Sequence, residues 1–344
     1  MQASHISFEL KLKHPFTISG FSRTSTPLLL LKLTSEGTDG YGEASMVPYF
    51  GETYTGAAQL LARVDWARFT APFNFPEIIS YLDDLEPGHP AVKAAIDIAL
   101  HDLQGKLTGK PCYELYHADP AKMPVTSYTI GIDEPEVILE KIADAKEFKV
   151  LKVKLGSADD RALIRTIRSV SSLPLYVDAN QGWTNRKEAI DLIYWLHDQG
   201  VVLIEQPMDK NNHDGNAWLT GRSPIPILAD EAAQRLGDID RIKGAYHGIN
   251  IKLMKCAGMY EAAAMISKAR KLGMKVMIGC MSETSIATQA AMALAPLCNW
   301  SDLDGPFLTV NNPFERPGLE NGRYVLENLP GLGLKGIPST LFLP

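Results

Sequence analysis

Seven short apolar runs in this 344-residue sequence end in polar residues that could do chemistry together. In chain order they close on Lys152-Val153-Lys154, Asp178-Ala179-Asn180, Glu205-Gln206-Pro207, Asp230-Glu231, Asn250-Ile251-Lys252, Gly279-Cys280-Met281-Ser282 and Asp302-Leu303-Asp304. Taken singly, an aspartate after a strand is most often a helix cap or turn former, and a strand-end lysine a solvated charge. Seven in succession are harder to set aside. If the runs are parallel strands of a barrel, their C-terminal ends meet at one mouth, where such barrels build their sites.

Asp178, Glu205 and Asp230 end three successive runs and can meet on one side of that mouth. Three carboxylates without a nearby His or Cys favour a hard divalent cation, Mg²⁺ or Mn²⁺, and without one their like charges repel. Lys152 and Lys154 are two apart, so both point to one face, where two ammonium groups lower each other's pKa and free one as a base. Lys252 approaches from the other side of the triad. A lysine on each side of a bound carboxylate suits two-base epimerisation: one removes the α-proton, the other delivers a proton to the opposite face, and the cation stabilises the enediolate between. Lys255 reads as a surface charge. Asp302 and Asp304 are two apart and share a face, although a turn before Gly305-Pro306 is the alternative for Asp304. Ser127 and Thr129, ending an earlier apolar run, either line the same pocket or cap a loop.

The elements that must position these residues follow from periodicity. Apolar runs at 125–129, 151–155, 175–178, 201–205, 225–230, 248–253, 275–279 and 300–304 alternate with helical patterns such as 135–147, 159–170, 185–199, 260–272 and 282–295. Continuous apolar strands between helices mean a parallel α/β sheet, closed into a barrel or left open and doubly wound. Residues 1–120 instead carry alternating strands at 6–12 and 28–34, a turn expected at Thr38-Asp39-Gly40, and a helix over 91–107 stopped by Gly109-Lys110-Pro111. This reads as an α+β unit. The Pro- and Gly-rich segment 313–344 lacks barrel rhythm and is expected to return to the N-terminal unit, which leaves 121–312 as the barrel.

A formal net charge of −6 argues against a nucleic-acid partner, and no apolar run is long enough to span a bilayer. The four cysteines (Cys112, Cys256, Cys280, Cys298) are widely spaced, as expected of reduced thiols in a cytoplasmic protein. The partner expected is a small molecule, and the sequence leaves room for a homo-oligomer.

The ordered set KVK, DAN, EQP, ADE, NIKL, GCMSE and DLD resembles the muconate-lactonising branch of the enolase superfamily, and within it the dipeptide epimerases. The resemblance covers nearly the whole chain, with Gly40-Tyr41-Gly42-Glu43-Ala44 similar to the family's GxGE segment. It implies a modified (β/α)₇β barrel under an α+β capping domain. It also implies Lys154 and Lys252 as the acid/base pair, Lys152 as the neighbour that tunes Lys154, and Asp178, Glu205 and Asp230 as ligands of Mg²⁺. Asp302 and Asp304 match the pair that grips a dipeptide's α-ammonium, and Met281 and Ser282 are implied beside the bound backbone. The activity implied is epimerisation of L-Ala-D/L-Glu in the recycling of murein peptides.

One departure bears on the substrate. Relatives preferring Ala-Glu carry an arginine shortly after a Pro-Phe pair, whereas a gapless count from Pro15-Phe16 reaches Phe21, with Arg23 two residues on. An acidic C-terminal residue follows if Arg23 faces the pocket, and an apolar one if Phe21 is the guide. Met46, Tyr49, Phe50 and Tyr54 resemble a second specificity loop, or staple the capping domain. Cycloisomerisation of a muconate and o-succinylbenzoate synthesis need no ammonium clamp, so Asp302 and Asp304 count against them. An inactive carboxylate-binding protein is the reading from outside enzymology, and the intact lysine pair and triad count against it.

Overall fold

The computed structural model describes residues 1–18, 21–156 and 159–342, with the side chains of Ile18, Phe21 and Tyr49 outside the description. Strands β1 (Gln2–Ile18), β2 (Phe21–Ser35) and β3 (Thr38–Ser45) form an antiparallel sheet in that order. The β2–β3 turn is Glu36-Gly37, with φ of 53° and 73°, and not Thr38-Asp39-Gly40, which already belongs to β3. A two-residue hairpin with left-handed backbone matches the strands' own twist, and a glycine at its second position accepts it without strain.

Helices α1 (Tyr54–Arg63), α2 (Phe75–Leu85), α3 (Pro90–Thr108) and α4 (Cys112–Leu115) complete the N-terminal unit. Helix α3 is buried along most of its length and lies across the sheet. Its approach explains the Gly-Tyr-Gly segment: a Cβ on Gly40 would stand 2.3 Å from Ala99 O, and one on Gly42 1.9 Å from Ala95 O. Gly109, at φ 67°, ends α3.

The remaining chain alternates strand and helix: β4 (Ser127–Ile130), α5 (Pro135–Asp144), β5 (Val150–Lys154), α6 (Asp160–Arg168), β6 (Leu175–Asp178), α7 (Arg186–Asp198), β7 (Val201–Glu205) and α8 (His213–Thr220). There follow β8 (Ile227–Ala229), the five-residue α9 (Asp238–Ile242), β9 (Gly248–Lys252), α10 (Met259–Lys271), β10 (Lys275–Gly279), α11 (Ser285–Leu294) and β11 (Trp300–Asp302). The strands pair in parallel in sequence order from β4 to β11, without the reversal that a doubly wound sheet requires. A parallel bridge between Thr126 and Ser301 joins the two ends. Eight strands with seven intervening helices make a (β/α)₇β barrel.

Strand alternation then decides what faces the barrel axis. Val150, Tyr176, Leu203, Leu228 and Met277 form an apolar plug, with Val125 and Trp300 packed against it. Two residues further along each strand, on the same inward face, come Ser127, Lys152, Asp178, Glu205, Asp230, Gly279 and Asp302. The plug is the floor and this polar layer the base of the site.

The N-terminal unit and the barrel are joined by specific bonds. Ser45 Oγ donates to Ser282 O at 2.8 Å, Arg235 reaches Asp83 at 2.8 Å, and Lys13 N donates to Leu308 O at 2.8 Å. The C-terminal segment returns to α3, where Leu332 N donates to Asp102 Oδ1 at 2.8 Å. Among the described residues no helix is long and apolar enough to cross a membrane.

Candidate active site

A cavity of about 370 Å³ opens at the C-terminal ends of the barrel strands. Its base holds Lys152, Lys154, Asp230, Lys252, Asp302 and Asp304. One wall is made by Phe16, Arg23, Phe50, Met281 and Ser282, and the opposite rim by Asn180, Gln181, Lys210, Glu231 and Gln234. The sequence-predicted residues are brought together, apart from two. Ser127 is fully buried beneath the cavity, where its hydroxyl donates to Asp302 Oδ1 at 2.7 Å, so it aims Asp302 and does not itself line the pocket. The side chain of Phe21 lies outside the described residues. Thr129 lines the cavity, and its backbone N–H donates to Asp304 Oδ2 at 2.6 Å.

The lysines and carboxylates interlock. Lys154 Nζ lies 2.6 Å from Asp178 Oδ2, and Lys252 Nζ lies 2.7 Å from Asp230 Oδ2. Lys152 Nζ lies 2.6 Å from both Glu205 Oε2 and Asp302 Oδ2, and 3.3 Å from Asp178 Oδ2. Burial pulls the Lys152 ammonium down, but the fields of Asp302, Glu205, Asp178 and Asp230 overcome it and hold its pKa well above the usual lysine value. The expectation of two lysines depressing each other therefore does not describe Lys152, because carboxylates outnumber ammonium groups around it.

Lys255 corrects a second expectation. It is 3% exposed, not a surface charge, and its ammonium contacts Asp230 Oδ1, Asp230 O at 2.7 Å and Asn250 O at 3.1 Å. The turn that follows β9 folds it back under Asp230. No periodicity in the sequence marks that turn. Asn250 also went without a role, although it precedes Lys252 by two and shares its inward face; its amide donates to Glu205 Oε1 at 2.7 Å. A Cβ at position 279 would stand 2.7 Å from Asn250 Oδ1, so Gly279 keeps that amide in place.

The residues present fit a divalent cation. Asp178, Glu205 and Asp230 are buried, and one ligand oxygen from each lies within 4.8 Å of the others. Glu205 Oε2 accepts no well-formed hydrogen bond although it is buried and Lys152 lies near. Lys152, Lys154, Lys252 and Lys255 compensate part of the triad's mutual repulsion. The remainder appears as raised pKa values. Burial and then Asp178 push Glu205 up to about 8, and burial and then Asp302 push Asp304 up to about 7.

Arg23 and Phe16 come from the β1–β2 hairpin. The Arg23 guanidinium lies 5.2 Å from the centre of the Phe16 ring and donates to Ser282 Oγ at 2.8 Å, and the Lys154 ammonium lies 5.7 Å from the same ring. Phe16 is thus a platform between two cations. From the second loop, Phe50 reaches the cavity, Met46 is buried, and Tyr54 pairs with His5 at 3.1 Å. Tyr49 lies outside the described side chains. All four cysteines are free thiols, and Cys280 lines the cavity.

Two family models match the chain: the N-terminal domain of mandelate racemase / muconate lactonizing enzyme over residues 3–116, and an enolase C-terminal domain-like model over 137–336. An L-Ala-D/L-Glu epimerase of Bacteroides thetaiotaomicron is 49% identical over 338 residues, which cover 98% of this chain and 88% of the relative. Among solved structures, a dipeptide epimerase from Enterococcus faecalis V583 complexed with Mg and L-Leu-L-Tyr superposes with a TM-score of 0.90 at 34% identity, covering 97% of this chain and 99% of that one. A substrate-liganded L-Ala-D/L-Glu epimerase from Bacillus subtilis gives a TM-score of 0.90 at 26% identity, covering 98% and 99%. With both halves matched and relatives aligned over nearly all of this sequence, the chain belongs to the mandelate racemase and muconate lactonizing enzyme family of the enolase superfamily, and is an isomerase of its dipeptide-epimerase group.

Proposed function

We propose that the protein epimerises a dipeptide at the α-carbon of its C-terminal residue, with L-Ala-D/L-Glu as the preferred substrate, in the recycling of murein peptides in the cytoplasm. The observation that carries this reading is the placement of Lys154 and Lys252 against different carboxylates of one triad, Asp178 and Asp230, with both ammonium groups on the cavity. A substrate carboxylate held at the triad has its α-carbon between them. One lysine, as the neutral amine, takes the α-proton from one face. The other, as the ammonium, returns a proton to the opposite face, and the configuration inverts. Lys152, whose pKa its carboxylate neighbours hold well above the usual lysine value, places positive charge beside the reacting carboxylate. Asp302 and Asp304 receive the dipeptide's ammonium, and Ser127 and the Thr129 N–H fix their directions.

Asp178, Glu205 and Asp230 would hold Mg²⁺, or Mn²⁺, which suits the same oxygen donors. When bound, the cation supplies positive charge to the substrate carboxylate as its α-proton leaves.

Arg23 supports the acidic side chain: it lines the cavity on the wall carrying Ser282 and is oriented by it. Phe16, Phe50 and Met281 on that same wall favour a second reading, an apolar C-terminal residue. Mass spectrometry on a pooled dipeptide library, incubated with the enzyme in D₂O with Mg²⁺ or with EDTA, separates the two. Gain of one deuterium on Ala-Glu, abolished by EDTA, is the expected result. Labelling led by apolar dipeptides would replace the Ala-Glu assignment, and no labelling of any dipeptide would reject the reading.

A further inference from the structure

The three carboxylates of the triad are held in one manner. In each, one oxygen accepts a hydrogen bond from a donor behind it: Asp178 Oδ1 from Asn180 N–H at 2.9 Å, Glu205 Oε1 from the Asn250 amide at 2.7 Å, and Asp230 Oδ1 from the Lys255 ammonium. The second oxygen of each is directed to the lysines of the cavity base, Asp178 Oδ2 to Lys154, Glu205 Oε2 to Lys152 and Asp230 Oδ2 to Lys252, while Glu205 Oε1 also lies 3.9 Å from Lys252 Nζ. The donors come from three separate places: the backbone after β6, the inward face of β9 and the turn after β9.

Lys255 has no capacity for another role. Its three protons face three acceptors, Asp230 Oδ1, Asp230 O and Asn250 O, and it is buried. Asn250 is wholly buried and does not line the cavity, so it too acts through Glu205. An oxygen hydrogen-bonded from behind keeps a lone pair, but the bond fixes the carboxylate's rotation and favours approach of a cation to the second oxygen over symmetric use of both. Mg²⁺ takes six oxygens at short, near-octahedral positions, whereas Ca²⁺ takes six to eight and readily uses both oxygens of a carboxylate.

We propose that Lys255 and Asn250 are positioning residues that favour one ligand oxygen on each of Asp230 and Glu205 and thereby set the site's preference for Mg²⁺ over Ca²⁺. The inference rests on the cation site of the proposed function. Charge and geometry are separable here. Removing the Lys255 ammonium raises the attraction for any divalent ion, so absolute affinities mix two effects. The ratio of Mg²⁺ to Ca²⁺ affinity cancels the charge and reports the geometry. Asn250→Ala changes geometry with no change of charge.

The test is calorimetric titration of the full chain, stripped of metal, with Mg²⁺ and separately with Ca²⁺, for the native sequence, Lys255→Met and Asn250→Ala. Each variant's thermal unfolding is recorded without metal; should Lys255→Met fail to fold, Asn250→Ala decides alone. The Mg²⁺/Ca²⁺ affinity ratio is expected to fall by about 10-fold or more in each variant, within the range by which outer partners tune metal sites. An unchanged ratio in a folded variant, or a fall of both affinities by one common factor, overturns the proposal. A native chain that binds neither ion would instead remove the cation site itself.

Discussion

Lys154 and Lys252 stand against two different carboxylates of one buried triad, Lys154 Nζ 2.6 Å from Asp178 Oδ2 and Lys252 Nζ 2.7 Å from Asp230 Oδ2. Strands β5 and β9 are separated by β6, β7 and β8 in the barrel, so the two ammonium groups come to the cavity from separate sides of the triad. If each serves one face of the α-carbon, the two single variants fail differently. Lys154→Ala and Lys252→Ala are each expected to lower epimerisation by about 10²- to 10⁴-fold, the usual share of a general acid or base. Each should still exchange the α-proton of one isomer with D₂O, and of opposite isomers in the two variants. Full turnover in either variant, followed by polarimetry, would refute the two-base assignment.

Asp302 accepts from Ser127 and pairs with Lys152, and it faces the cavity with Asp304. Asp302→Asn should raise KM for dipeptides by about 10- to 100-fold, the loss of about 1.4 to 2.7 kcal/mol expected when a charged hydrogen bond is weakened. Mg²⁺ affinity should change much less. An unchanged KM in steady-state assays would remove Asp302 from the ammonium clamp.

Arg23 and the apolar wall make opposite demands on the substrate. Arg23→Met should cut kcat/KM for Ala-Glu by about 10-fold or more, because an acidic side chain loses its charged partner. Activity on apolar dipeptides should hold or rise. Equal activity on Ala-Glu before and after substitution would place Arg23 outside substrate recognition.

Glu43 joins β3 to the start of α11, accepting from Thr284 N–H at 2.8 Å and from the Thr284 hydroxyl. Burial pushes its pKa up to about 7, against the opposing effect of these bonds, and burial and then Glu43 push Glu283 up to about 8. For an acid whose pKa is raised on folding, the native state binds the extra proton. Its stabilising contribution is complete below the unfolded value near 4.5 and is lost as pH rises through 7 to 8. The Tm of the metal-free protein should therefore fall between pH 5 and pH 8, and Glu43→Gln, which removes one titrating group, should flatten that slope. A slope unchanged by Glu43→Gln in calorimetric scans would contradict the assignment.

Much of the site was legible in the sequence because strand geometry is periodic. An apolar residue on the barrel floor implies that the residue two positions on faces the same axis, and parallel strands bring their C-terminal ends to one mouth. That is why Lys152, Lys154, Asp178, Glu205, Asp230, Lys252 and Asp302 could be read as neighbours from their spacing. The count of strand–helix units allowed a closed barrel or an open doubly wound sheet, and the strand order of the fold decides for the barrel.

Tertiary structure decided what has no period. Lys255 reaches Asp230 only because a turn folds it back beneath its own strand, and Ser127 is engaged by Asp302 and does not line the cavity. The pKa of Lys152 depends on carboxylates from β6, β7, β8 and β11, which a linear reading cannot weigh against a single neighbouring lysine. The bonds of Arg23 to Ser282 and of Glu43 to Thr284 span more than two hundred residues. Such contacts depend on how the N-terminal unit docks on the barrel. Local propensity and periodicity act over one element at a time and carry no information about that docking.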